Sequence, residues 1–283
     1  MQGRQARVLF SVPDIHCPAA AGPVPVTVEH CPEGKGPMTA KQWTLKEYLK
    51  ENTAVRPPQP SPDDYWIPPG QSIGERDFPF ASKASERGFV VAYNRRIPFE
   101  SGHERGFILA YLAQRATKTV IEQSPRFEYV DEDGVCHEHI FDLLVILHDG
   151  KRIAIDVKPH ALLASSNLKA LHERIAGQMS PDIADELLIV TEKRLSRADK
   201  YNYELYYTVH RQKWPKDDAV VASLIKKLKG PTEITRIVKA SKLDGYGFNA
   251  VVRAIASGQL GLIKPKDVLI THEAIVVRPQ DLG

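Results

Sequence analysis

Two aspartates and a lysine, Asp142, Asp156 and Lys158, stand in a stretch that is otherwise almost wholly apolar, His139 to Pro159, reading HIFDLLVILHDGKRIAIDVKP. Charged groups among Phe141, Leu143, Leu144, Val145, Ile146, Ile153, Ile155 and Val157 demand a physical reason. An unpaired carboxylate in apolar surroundings is costly, and two side by side repel until one takes a proton or a cation sits between them. A divalent ion held by both aspartates is the simplest resolution, with the Lys158 ammonium beside it.

The element that must position these groups is a β-hairpin. Two apolar runs, Ile140 to Leu147 and Ile153 to Val157, flank His148-Asp149-Gly150, and Asp-Gly between apolar runs is a strong hairpin signal. Loop length decides which side chains meet. A two-residue loop at Asp149-Gly150 pairs His148 with Lys151 and places Asp142 and Asp156 on opposite faces. A three-residue loop, with Gly150 in a left-handed bulge, pairs Leu147 with Lys151 and sets Asp142 opposite Asp156, with Lys158 two residues along the same face. Both strands look covered on both sides. Asp142 followed by Asp156-Val157-Lys158 is the D…(D/E)xK pattern of metal-dependent nucleases, in which carboxylates hold magnesium with open water positions. The bland alternative is a solvated strand end with an ordinary Asp–Lys pair.

A helix over 101–116 precedes this hairpin, with Phe107, Ile108, Tyr111 and Leu112 as its core stripe and Glu104 on the same stripe. Glu104 has two readings: the reaching-back member of a capping box, Ser101-x-x-Glu104, or a third acidic ligand aimed at the hairpin. Strands over 119–130 and 135–147 follow, joined by the acidic turn 131–134. After Pro159 come a helix over 162–179, a buried strand over 186–191 and a helix over 198–212. The order αβββαβ, with a further helix after it, predicts an α/β fold: a restriction-endonuclease-like core with a mixed central sheet flanked by helices. Most of Tyr201, Tyr203, Tyr206 and Tyr207 are expected to pack, with some free to touch a DNA backbone.

Composition sets the outer limits. At 283 residues, 42% hydrophobic and 26% charged, the chain reads as an ordinary globular protein with room for two domains. Its +3 net charge is mild, but residues 211–283 hold 13 Lys/Arg against 7 Asp/Glu, so the basic character is local. Cys17, Cys31 and Cys136 make no disulfide framework and suit a reducing cytosol. No apolar run is long enough to span a bilayer, and the first residues imitate a signal peptide poorly.

Residues 1–80 are proline-rich and predict an irregular arm with one short helix, Thr44 to Asn52. His16-Cys17 and His30-Cys31 offer zinc-ligating side chains, but adjacent His-Cys pairs lack the usual ligand spacing, and an unstructured tail is preferred. Met38 is an alternative start that would remove these pairs. The catalytic region is assigned to 81–214. Residues 215–283 form a small module of helices over 217–229, 231–242 and 245–257 followed by strands over 260–269 and 273–278, a winged-helix pattern. Lys226, Lys227, Lys229, Arg236, Lys239, Lys242 and Arg253 favour a phosphate-facing surface, though docking to protein is an equal alternative.

With these residues in place, the chain resembles the TnsA family, the endonuclease subunits of heteromeric transposases, over roughly residues 90–280. The helix SGHERGFILAYLA with Glu104, the strand FDLLV with Asp142, and IDVKP with Asp156, Lys158 and Pro159 carry the resemblance. It implies that Glu104, Asp142 and Asp156 surround a Mg2+ site that Mn2+ can also fill, and that Lys158 serves catalysis. Some relatives carry Gln at the position of Asp156. The resemblance further implies a Mg-dependent endodeoxyribonuclease that cuts double-stranded DNA at the 5′ ends of a transposon, working with a DDE-type transposase subunit and an AAA+ ATPase regulator in the bacterial cytoplasm, at the nucleoid. The rival readings are a stand-alone restriction or repair endonuclease of the same fold and a catalytically silent DNA-binding scaffold.

Overall fold

The computed structural model describes residues 7–9, 68–76, 86–212, 214–263 and 268–281. Their strands are β1 (Arg7–Leu9), β2 (Gly88–Ala92), β3 (Arg95–Phe99), β4 (Thr117–Glu122), β5 (Arg126–Val130), β6 (Cys136–Ile140), β7 (Leu143–Leu147), β8 (Arg152–Val157), β9 (Glu186–Val190), β10 (Thr232–Glu233), β11 (Gly261–Leu262) and β12 (Ile275–Val277). Their α-helices are α1 (Gly102–Ala113), α2 (His160–Leu163), α3 (Leu168–Gln178), α4 (Arg197–His210), α5 (Pro215–Ile225), α6 (Ile234–Ser241) and α7 (Asp244–Ala256). The described residues fall into two compact units, one drawn from Met1–Arg105 and Lys118–Glu192, the other from Gly106–Thr117 and Lys193–Gly283.

The first unit is built on a five-stranded sheet in the order β1-β9-β8-β7-β4. Strands β7 and β8 pair antiparallel, while β8 runs parallel to β9 and β9 parallel to β1, so the sheet is mixed. Helix α3 lays Ile175 and Ala176 against Phe127, Phe141, Ala154 and Leu187 to form a buried layer. Mixed sheet and flanking helices broadly match a restriction-endonuclease-like topology, as the element order predicts. Strand β1 corrects the expectation of an irregular arm at its very start: Arg7 to Leu9 extend the sheet, paired residue for residue with Glu186 to Leu188. The expected helix at 44–52, the His-Cys pairs and most of the proline-rich segment lie outside the described residues.

Each of the two long strands expected before the hairpin is divided. The run over 119–130 breaks into β4 and β5 because Gln123 takes a left-handed conformation (φ 47°) and Pro125 has no N–H to continue a ladder. The run over 135–147 breaks at Phe141-Asp142, so β5 and β6 form their own two-stranded ribbon. The helix expected over 162–179 is likewise two helices. Between them the hydroxyls of Ser165 and Ser166 donate to the carbonyls of Leu162 and Leu163, the backbone competition by which serine interrupts a helix. Cys136 is disulfide-bonded, which departs from the reading that the cysteines make no disulfide framework and suit a reducing cytosol; Cys17 and Cys31 lie outside the described residues.

At the far end of β4, Glu122 anchors residues 72–75. Its carboxylate accepts from Ser72 Oγ (2.6 Å), the Ile73 N–H (3.1 Å) and Arg95 Nη1 (2.6 Å), and both ends of the Arg95–Glu122 pair are buried. Gly74 passes so close that a Cβ there would stand 2.6 Å from the Glu122 carbonyl oxygen.

In the second unit, α4 to α7 enclose a core that includes Val209, Val221, Ile225, Ile234, Ile237, Val251 and Leu260. A three-stranded sheet in the order β10-β12-β11 closes one side. Helices and strands fall close to their expected positions, but the strands are shorter. Helix α6 ends where Lys242 turns left-handed (φ 56°). Buried Asn202 on α4 ties residues 268–270 to this unit, donating to the Val268 carbonyl and accepting from the Ile270 N–H. No helix among the described residues is long and apolar enough to cross a membrane.

Candidate metal centre

The hairpin forms with the three-residue loop. Gly150 is left-handed (φ 91°) and donates to the Leu147 carbonyl at 3.0 Å, and the Leu147 N–H donates to Lys151 at 2.8 Å. Leu143 pairs with Ile155, Leu144 with Ala154 and Val145 with Ile153, so Asp142, one residue before β7, stands across from Asp156. A glycine without strain at positive φ fixes this register, and the register fixes which acids meet.

Asp142 sits where the chain bends from β6 into β7. Its carbonyl accepts from the Gln123 N–H and its Oδ2 from the Val157 N–H, both at 2.7 Å. Burial, then the charges of Asp156 and Glu104, push its carboxyl well above the ordinary carboxylate range, more than the Val157 N–H and Arg76 lower it.

Asp156 faces the α3 side. Its Oδ2 lies 2.6 Å from His172 Nε2 and 2.8 Å from His139 Nε2. Burial pushes its carboxyl up, but the two imidazoles outweigh burial and hold it below the usual value. His139 comes from β6 and His172 from α3, and Phe141 presents its ring to both at 4.7 and 5.4 Å between centroids. His172 is fully buried, and its Nδ1 has no hydrogen-bond partner among the described residues. The ligand atoms of His139, Asp156 and His172 all lie within 4.8 Å of one another. Two nitrogens and an oxygen on buried side chains could hold a divalent cation.

Of the acids named from sequence, Asp156 joins this cluster, while Asp142 and Glu104 are not part of it. Glu104 makes the capping box: its Oε1 accepts from Ser101 Oγ at 2.9 Å, its Oε2 from the Glu100 N–H at 2.8 Å, and Ser101 Oγ accepts from the Glu104 N–H at 3.1 Å. It nevertheless stands near enough for its charge to raise Asp142. Burial raises Glu104 itself.

Lys158 donates its N–H to the Val190 carbonyl at 2.9 Å, and its residue lines a cavity of about 320 Å³ with Tyr129, Ser166, Asn167 and Arg174. In the second unit Lys226, Lys227, Lys229, Arg236, Lys239 and Lys242 are exposed. Arg253 differs: its guanidinium is largely buried and paired with Asp218 at 2.7 Å, an ion pair internal to the unit. On α4, burial raises Tyr203 and pushes Tyr206 up to about 12, as expected of packed phenols.

Sequence reasoning missed His139 and His172. A signal existed for the second: His172, Ile175 and Ala176 share the buried face of α3, and an ionisable residue on an apolar stripe calls for a partner. No protein-family model matches the chain, and no curated protein matches it.

Proposed function

We propose that this protein is a metal-dependent DNA endonuclease and, following its resemblance to the TnsA family, the subunit of a heteromeric transposase that hydrolyses phosphodiesters at the 5′ ends of a transposon. The observation that carries the nuclease reading is the opposition of Asp142 and Asp156 across the hairpin, with Lys158 two residues further along and bordering an open cavity. Asp156, with His139 and His172 on its Oδ2, would hold the divalent ion, and Asp142 adds acidic character beside it. A bound divalent ion there supplies positive charge for the scissile phosphate and a more acidic water. The Lys158 ammonium would offset charge that grows on the phosphorane and orient the attacking water, and Arg174, paired with Glu132, lines the same cavity.

The order α5, β10, α6, α7, β11, β12 supports reading the second unit as a winged-helix module, whose exposed lysines would meet DNA phosphates or an acidic protein face. Its partners on this reading are transposon-end DNA, a DDE-type transposase subunit and an AAA+ ATPase regulator, in the bacterial cytoplasm.

The test is cleavage of supercoiled DNA carrying transposon ends, with Mg2+ or Mn2+, by the protein alone and with its transposase partner. Cleavage at 5′ ends in the mixture only, and lost in Asp142→Ala, is the expected result. Site-specific cutting by the protein alone would replace transposition with a stand-alone nuclease. Tight DNA binding without cutting under any condition would sink the enzyme reading.

A further inference from the structure

We propose that His139, His172 and Asp156 form a site that selects a borderline first-row divalent ion, of the manganese-to-zinc series, over magnesium. Its place in catalysis rests on the nuclease reading above; its affinity for metal does not.

The donor set decides the class. Magnesium takes oxygen ligands and keeps its waters, whereas imidazole nitrogens suit manganese, iron, cobalt and zinc, with affinity rising along the series towards copper. A site of two imidazoles and one carboxylate is therefore biased against magnesium, unlike the all-carboxylate set expected from sequence. The three side chains come from β6, β8 and α3, so no local sequence preference explains the convergence of two imidazoles on one Asp156 oxygen. A surface pair elsewhere on the same ribbon shows the ordinary alternative: exposed His137 meets a single acid, Asp131, at 2.6 Å.

Charge points the same way. Asp156 is 6% exposed and lies opposite a second acid. The Nε2 atoms of His139 and His172 stand 2.8 and 2.6 Å from its Oδ2, and a buried carboxylate beside a second acid is strongly unfavourable without a counter-charge. A dication bound by these three side chains supplies that counter-charge beside the apolar layer of Phe141, Ile175 and Ala176. The Phe141 ring, packed on both imidazoles, holds them in place before any ion arrives.

The experiment uses the full chain stripped of metal with a chelator. Mn2+ binding is followed by loss of the free-ion electron paramagnetic resonance signal, Co2+ binding by its visible ligand-field bands, and Mg2+ by competition. We expect one site that prefers Mn2+ over Mg2+ by at least about tenfold. Altering even the outer partners of a metal ligand weakens binding about 10–100-fold, so His139→Gln and His172→Gln should each lose about 100-fold or more. Because fully buried His172 is the riskier position for folding, His139→Gln is the deciding variant. Its fold is checked by circular dichroism, and Mn2+ should raise the melting temperature of the wild type but not of this variant. Mn2+ and Co2+ affinities unchanged in a folded His139→Gln protein, or a preference for Mg2+, would overturn the site and leave the histidines as hydrogen-bond partners of Asp156. DNA cleavage with that outcome would leave the nuclease reading standing. Metal binding as expected, without cleavage in any partner mixture, would overturn the nuclease reading and keep the site.

Discussion

Two buried carboxylates in the first unit, Glu122 and Asp156, are solved in opposite ways. Glu122 is closed: a guanidinium, a hydroxyl and a backbone N–H occupy its oxygens, and the surrounding chain packs so tightly that Gly74 has no room for a methyl group. Among the described residues Asp156 meets two imidazoles on one oxygen and faces a second acid that burial and repulsion hold towards its protonated form. A carboxylate kept for architecture finds a permanent cation within the chain. Asp156 is instead surrounded by groups that can exchange protons or take a metal.

The contrast can be broken most decisively at the open site. On the nuclease reading, Asp142→Ala or Lys158→Ala, in protein shown to be folded by circular dichroism, should reduce cleavage by about 10³-fold or more, the equivalent of about 4 kcal/mol of transition-state stabilisation. Full activity in either variant refutes the assignment. At the closed site the pattern should invert. Arg95→Met alone leaves Glu122 buried without its partner and should cost about 3–5 kcal/mol in urea unfolding, whereas Arg95→Met with Glu122→Leu should recover most of that loss. A double variant as unstable as the single one would show that the pair is more than a compensated charge.

Glu104 lies between the two cases, and a pair of variants sharpens its place. Ser101→Ala removes only the cap and should cost about 1 kcal/mol with cleavage retained. Glu104→Gln keeps one of the two cap acceptors and removes the charge beside Asp142, so a fall in cleavage larger than that of Ser101→Ala in an equally stable variant would identify a role at the centre. Unchanged cleavage would leave Glu104 a capping residue. The smallest effect belongs to the second unit. Replacing Lys226, Lys227 and Lys229 with Gln should flatten the salt dependence of DNA affinity by about 0.9 in log–log slope for each phosphate no longer neutralised. An unchanged slope would direct that surface to protein.

What could be read from the sequence was what local chemistry dictates. Asp149-Gly150 announced the hairpin, and of its two possible loops the one with Gly150 left-handed is formed, which brings Asp142 across from Asp156. Ser101-x-x-Glu104 announced the cap that is present. What could not be read was convergence at a distance. His139 lies 17 residues from Asp156 and His172 lies 16 away, and only the packing of α3 on the sheet brings all three together. The sharp bends at Gln123 and Asp142 were also hidden, because both runs keep strand-like composition through the break.

Strand β1 has a consequence for how the molecule behaves in company. It covers the outer edge of β9, whose Leu187, Leu188, Ile189 and Val190 form one of the most apolar strands of the sheet. A polypeptide starting at Met38 would lack those three residues and present that edge with its amide and carbonyl groups unpaired, a template on which another chain can add a strand. Such a shortened protein should gather into larger species as its concentration rises, while the longer form stays dispersed. Residues 7–9 then act as a hem that keeps the sheet from joining its neighbours.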